Sequence, residues 1–271
     1  MKTRKVVRYT IISFFAVLYI MPLYIALTNA FKNATQIMTK PLALPSPFVP
    51  QNFVRAFKEA KIFYLYKNSI IITLLSLAVL VLICSMLGYV FARRKNKISA
   101  FLFIMVLSGL MVPIQTVLIP SMKTLQIYKL LGKMSGLIFF YAGAYMSMGT
   151  FLFTEFIKTV PRSLDESASI DGASQIRTFF QIIFPLLKPC TSTVVIFLGM
   201  WIWNDFLPPL YILGTSKGKT ITTGIYRAIG SYTTDWTMVF PCVILASLPI
   251  VILYLFLQKQ FQSGIIAGSI K

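Results

Sequence analysis

The sequence predicts an all-α membrane protein with six transmembrane helices, and two observations carry that prediction. Of its 271 residues, 57% are hydrophobic and only 12% charged, a balance too apolar for a water-soluble domain. Six stretches approach the roughly 20 apolar residues that crossing a bilayer requires: about Tyr9 to Thr28, Asn68 to Ala92, Ala100 to Met122, Gly136 to Ile157, Cys190 to Leu213, and Met238 to Leu257. No internal repeat or low-complexity segment separates them, so residues 1–271 read as one transmembrane domain.

The basic start, Met1 to Lys5, followed by an apolar run, has the outline of a signal peptide. The run is too long for one and reads as an uncleaved first span. The longest loop follows, Asn29 to Lys67, where Pro41, Pro45, Pro47 and Pro50 forbid regular helix and predict an extended course at first. An even number of spans puts both termini on one side of the membrane. Arg93, Arg94, Lys95 and Lys97 crowd the short second connection, and short loops are where positive charge fixes sidedness, so both termini should be cytoplasmic.

The formal net charge of +19 invites a nucleic-acid partner. The basic residues are scattered among the loops instead of gathered into a stripe, which excludes that class. Cys84, Cys190 and Cys242 lie in or beside spans and are odd in number, against a disulfide framework or a metal site. Histidine is absent, removing the commonest proton shuttle and metal ligand.

Pro113 and Pro120 interrupt the third span, and Gly143 and Gly149 loosen the fourth. Such helices either line a solute path or pack tightly through small residues, and both readings stand. The fifth span carries Trp201 to Pro209, with Asp205 within it. A carboxylate near the bilayer centre costs about 2.5–3.5 kcal/mol, so Asp205 should face protein or water. At 1.5 Å per residue from Pro189 it lies roughly 24 Å along the helix, nearer the far surface. Pro241 falls at the start of the sixth span, where a first-turn proline is tolerated.

Between the fourth and fifth spans, residues 158–189 form a polar island holding Asp165, Glu166 and Asp171, three of the seven acidic residues. Ser163 with Glu166 has the spacing of a capping box, which predicts a short helix from about Leu164. Its first turn is acidic, as the helix dipole favours, and Gly172 is a natural stop. Ile176, Phe179, Phe180, Ile183 and Leu187 then draw an apolar stripe along a second helix.

Here the sequence resembles the permease subunits of bacterial ABC importers, whose loop signature is Glu-Ala-Ala, three residues, Gly, nine residues, Ile-x-Leu-Pro. The matching residues are Glu166, Ser167, Ala168, Gly172, Ile182 and Pro185, with Ser167 and Phe184 departing from the pattern. The resemblance continues at Asn52-Phe53, Asn68-Ser69, Tyr89 to Arg93, Met111 to Pro113 with Gln115, and Pro161. It extends to Trp203, Asn204, Asp205 and Phe206, similar to the Trp-Asn-Asp/Glu-Phe motif of maltose-type permeases. The tail, with Gln258, Phe261, Gly264 and Gly268, resembles the carbohydrate-permease ending.

The resemblance implies a type I importer permease fold in a bacterial inner or plasma membrane. It implies a related second permease, two ATP-binding subunits that hold the ATP and magnesium, and an extracytoplasmic sugar-binding protein. By the same resemblance Glu166, Ala168, Asp171, Gly172, Phe179, Ile182 and Pro185 couple to the ATPases, and the tail reaches toward them. Trp203, Asn204, Asp205 and Phe206 are candidates for the solute path, since aromatic faces and polar groups suit a sugar. The competing reading pairs Asp205 with a neighbouring helix.

No cofactor and no catalysis are expected of this chain itself. Gly214 to Thr220 mimics a phosphate-binding loop, but it has three residues between its glycines where four are needed, and no strand precedes it. An intramembrane enzyme would need a nucleophile and base or metal ligands. An ion-coupled transporter would place interacting carboxylates at mid-membrane, where Asp205 is nearly alone. Within the importer class, the alternative cargo is another polyol or a phosphorylated solute such as glycerol phosphate.

Overall fold

A computed structural model describes the backbone of residues 2–217, 220–228 and 235–269 and the side chains of 5–214, 220–226, 235–252, 254 and 255. Among the described residues the chain is helical, with no strand. The helices are α1 (Lys2–Asn29), α2 (Ala34–Thr39), α3 (Gln51–Glu59), α4 (Ile62–Arg93), α5 (Lys97–Ser108), α6 (Ile114–Ile127), α7 (Met134–Ala144) and α8 (Met146–Thr159). They continue as α9 (Ser163–Ile170), α10 (Gln175–Thr178), α11 (Phe184–Leu186), α12 (Lys188–Asn204), α13 (Leu207–Lys217), α14 (Ile221–Ala228) and α15 (Trp236–Ser269).

Lys5–Asn29 and Ile62–Arg93 are each long and apolar enough to cross a bilayer. Three further stretches qualify only as bent pairs: α5 with α6 at 106°, α7 with α8 at 49°, and Gln175–Leu186 with α12 at 75°. Trp236–Ile252 is a shorter apolar helix. The second span begins at Ile62, ahead of the expected Asn68, and the third breaks at Gly109–Met111 before Pro113, which supplies the extended residue preceding α6. The fifth apolar stretch runs to Leu213 in the sequence, yet α12 stops at Asn204. Pro241 is not a first-turn residue either, because α15 starts at Trp236 and contains both Pro241 and Pro249.

The chain divides into two units, Met1–Tyr66 with Ile221–Val251, and Lys67–Thr220 with Ile252–Lys271. In the first, α1 exposes apolar side chains all round, Tyr9, Val17 and Leu23 each by two-thirds or more, a surface suited to lipid or another apolar helix. The loop after it is built on Lys32, whose side chain is fully buried. Its ammonium donates to Asn29 Oδ1 at 3.1 Å and to the carbonyls of Lys40 and Pro41 at 2.9 Å. Asn52 donates to the carbonyls of Ala30 (3.2 Å) and Lys32 (2.8 Å), and Phe31 packs between Phe48 and Phe53. The prolines do keep residues 40–50 out of helix, as expected, but helices α2 and α3 flank them.

The second unit holds a core that includes Leu137, Tyr141, Phe153, Ile157, Ile183, Leu187, Val194 and Leu198. In lipid, helix association depends on close packing and not on hydrophobic transfer, and two glycines provide it. A Cβ at Gly88 of α4 would lie 2.8 Å from Phe153 Cβ, and one at Gly149 of α8 2.7 Å from Cys84 Sγ. Gly149 is thus a packing residue. Gly143 faces open space and lines a groove of roughly 510 Å³ with Gly109, Pro120, Thr124 and Ser147.

Candidate functional site

The polar island folds as a helix, a tight turn and a second, irregular helix. Helix α9 starts at Ser163, but the expected capping box does not form. Arg162 occupies the N-cap in helical geometry (φ −68°, ψ −24°) with no side-chain cap bond, whereas a capping side chain needs an extended residue there. The end of α9 is as expected. Gly172 takes φ +78°; its N–H donates to Ser169 O (3.1 Å) and that of Ala173 to Ala168 O (2.9 Å), the paired bonds of a Schellman stop.

Ser174 then caps α10, its Oγ accepting from Arg177 N–H. Phe179–Ile183 is a π turn, and this wider turn shifts the register of the apolar stripe. Phe179, Ile183 and Leu187 are buried, but Ile176 is 70% exposed and Phe180 41%. Ile170, at the other side of the turn, is 87% exposed. Two isoleucines therefore stand in the open on either side of Asp171 and Gly172.

Among the expected coupling residues, Glu166, Asp171, Gly172 and Pro185 are exposed, Ala168 and Phe179 are buried, and Ile182 is intermediate. The Phe179 ring meets Tyr89 at 5.3 Å, Phe180 at 5.0 Å and Phe184 at 5.8 Å. What the sequence reading missed is how α9 is tied down: Asp165 pairs with Arg93 (2.8 Å) and accepts from the Tyr89 hydroxyl (2.6 Å). The sequence alone gives Arg93 as positive charge and part of the family resemblance, and Asp165 as a helix-dipole partner, with nothing to join them.

The second cluster sits where two helices break. Asp205 is extended (φ −67°, ψ 141°) at the end of α12, and α13 begins two residues later. Its carboxylate accepts from the Phe206 N–H at 3.0 Å and from the Tyr145 hydroxyl at 3.2 Å. Tyr145 is itself the hinge residue between α7 and α8. It stacks on Tyr141 at 5.6 Å and meets Trp201 at 5.6 Å. Asp205 thus faces protein, paired with a neighbouring helix break. Trp203 is buried, Asn204 is exposed with Nδ2 donating to Met200 O (2.9 Å), and Phe206 is partly buried. The tail positions Gln258, Phe261, Gly264 and Gly268 lie in a stretch whose side chains are outside the described residues. Among the described residues no cluster of three or more His, Cys, Asp or Glu could hold a metal ion.

Comparison with known proteins fits this arrangement. The chain is 34% identical to the probable starch degradation products transport system permease protein AmyC of Thermoanaerobacterium thermosulfurigenes, over 94% of this chain and 93% of that protein. It is 34% identical to the multiple sugar-binding transport system permease protein MsmG of Streptococcus mutans (97% and 96%). With the melibiose/raffinose/stachyose import permease protein MelC of Bacillus subtilis the identity is 32%, over 93% and 92%. In fold it resembles a chain in the crystal structure of a bacterial ABC transporter involved in the import of the acidic polysaccharide alginate. That likeness has a TM-score of 0.86 over 96% of this chain and 97% of that one, at 15% identity. The family of binding-protein-dependent transport system inner membrane components matches residues 84–266. The chain belongs to that family, an ABC importer permease by its membership and its relatives.

Proposed function

We propose that this chain is one of two permease subunits of an ATP-driven importer for a carbohydrate, a di- or oligosaccharide, and that the polar island is where ATPase subunits grip it. The observation that carries the reading is the pair Ile170 and Ile176, exposed by 87% and 70% on either side of the Gly172 turn. Isoleucines raised on a short polar helix-turn-helix are an incomplete interface. The acidic residues around them, Glu166 and Asp171, give the surface a charge that a basic cleft would complement.

The cargo assignment rests on the relatives, whose names specify starch degradation products and the sugars melibiose, raffinose and stachyose. A related permease completes the membrane part, two ATPase subunits bind ATP and magnesium on the cytoplasmic side, and a sugar-binding protein delivers cargo from outside. Both termini and the island then lie in the cytoplasm. In mechanism, ATP binding closes the ATPase pair, α9 follows, and the spans change which side they open to. A ligand shifts such an equilibrium only by its differential affinity for the two states, so the energy of ATP binding must cross at the island. The breaks at Asp205 and Tyr145, and the groove beside Gly143, are where the spans can bend and a solute can pass.

The test is uptake in sealed vesicles carrying the whole complex, with ATP enclosed and no ion gradient. Sugar should accumulate with ATP and not without it, and Gly172→Leu should leave the complex in the membrane while ATP hydrolysis no longer drives uptake. Accumulation that needs a sodium or proton gradient instead of ATP would overturn the reading.

A further inference from the structure

Building on that reading, we propose that Tyr89, Arg93, Arg162 and Asp165 form a clasp that passes the motion of α9 into helices α4 and α8. These four are positioning residues, and the clasp begins with two helix ends. The last carbonyls of an α-helix have no partner within it, and a cation nearby also favours the helix dipole. Each of the two helices is closed by an arginine from the other's segment. Arg162, just past α8, donates from Nη2 to the carbonyls of Ala92 and Arg93 at 3.2 Å each. Arg93, the last residue of α4, donates from Nη1 to the carbonyls of Ile157 (3.3 Å) and Val160 (3.1 Å).

Arg93 has a second nitrogen to offer, and it points Nη2 at Asp165 Oδ2 (2.8 Å) in the first turn of α9. The other carboxylate oxygen takes the Tyr89 hydroxyl at 2.6 Å. The Arg93 and Asp165 side chains are only 12% and 20% exposed, so bulk salt screens the pair little. Apolar packing cannot do the same work, because Ala168 is the one residue that α9 buries. A helix with one buried alanine would rock on its surface if pushed. The ion pair with Arg93 and the hydrogen bond from Tyr89 are what make a push on Ile170 a pull on α4, and through Arg93 on the end of α8.

The test uses the complete complex in vesicles, measuring complex yield and the amount of sugar taken up per ATP hydrolysed. Asp165→Asn keeps the shape and removes the charge; uptake per ATP should fall roughly tenfold or more at normal yield, the effect of losing the ion pair and weakening the bond from Tyr89. Asp165→Glu should recover most of it. Tyr89→Phe, which removes one hydroxyl, should lower the ratio about threefold. An Asp165→Asn complex with the wild-type ratio overturns the clasp. If that variant fails to assemble, Tyr89→Phe decides: a lowered ratio supports the clasp, and an unchanged one overturns it. Failure of the underlying importer reading would show separately, as wild-type uptake indifferent to ATP.

Discussion

Two polar clusters in this chain are built in opposite ways. At Lys32 the ammonium is buried and has an oxygen for each of its three hydrogens, and Asn29 and Asn52 are buried beside it. The island at 163–187 does the reverse. Its acidic residues Glu166 and Asp171 lie open, and so do Ile170 and Ile176. We read the first as a brace and, on the function proposed above, the second as half of an interface. The contrast also shows in how charge is neutralised. Lys32 is held by neutral oxygens, with burial pushing its pKa below the ordinary lysine value, while Asp165 is held by an opposite charge in the first turn of α9.

The comparison breaks first at Lys32. Lys32→Met removes the donor from three oxygens, two of them main-chain, and should lower the unfolding free energy by on the order of 3 kcal/mol. Thermal unfolding in detergent would read it, and a loss below about 1 kcal/mol would mean the loop is not braced there.

A smaller effect is expected at Asp235, which pairs with Arg55 in the same unit. Burial works to raise the Asp235 pKa but is outweighed by hydrogen bonds from Thr237 and by the Arg55 charge, so it falls below its ordinary value. A carboxyl depressed on folding contributes stability above its unfolded pKa, and that contribution disappears as pH drops through the folded value. Asp235→Asn should therefore flatten the acid limb of the stability curve below about pH 4, and only slightly, because both side chains are substantially exposed. An unchanged acid limb would remove the pair from the account.

The smallest effect on stability is expected at the island. Replacing Ile170 and Ile176 by Asp should change unfolding by less than about 0.5 kcal/mol, as for exposed sites in general. The same double variant should lose its ATPase subunits on purification. A large loss of stability would show that these side chains pack within the chain and are not half of an interface.

Much of this was legible in the sequence because the signals are strong. Long apolar runs announced the apolar helices, though of the six expected spans two are single helices of full length and three are bent pairs. Gly172 announced its turn because a left-handed residue after a helix is usually glycine. The island's composition marked it as the odd stretch. What stayed hidden depended on geometry that spacing does not encode. Ser163 and Glu166 have capping-box spacing, but Arg162 enters the helix in α conformation and spends its guanidinium on the end of α4. The apolar stripe assumed 3.6 residues per turn through Phe179–Ile183, where a π turn breaks that count and leaves Ile176 and Phe180 outside. The break at Asp205 had a cue in Pro208 and Pro209, yet apolar residues on both sides concealed it. Its partner Tyr145 lies 60 positions away, beyond any local pattern.

The most direct measurement is cross-linking from the turn itself. Cys84, Cys190 and Cys242 are all buried, so Ile170→Cys adds a thiol that a membrane-impermeant reagent should reach preferentially. In membranes carrying the whole complex, a short bifunctional reagent should join position 170 to an ATPase subunit, and in intact cells that thiol should resist labelling from outside. Labelling from the cell exterior, with no ATPase adduct, would contradict the account at its base.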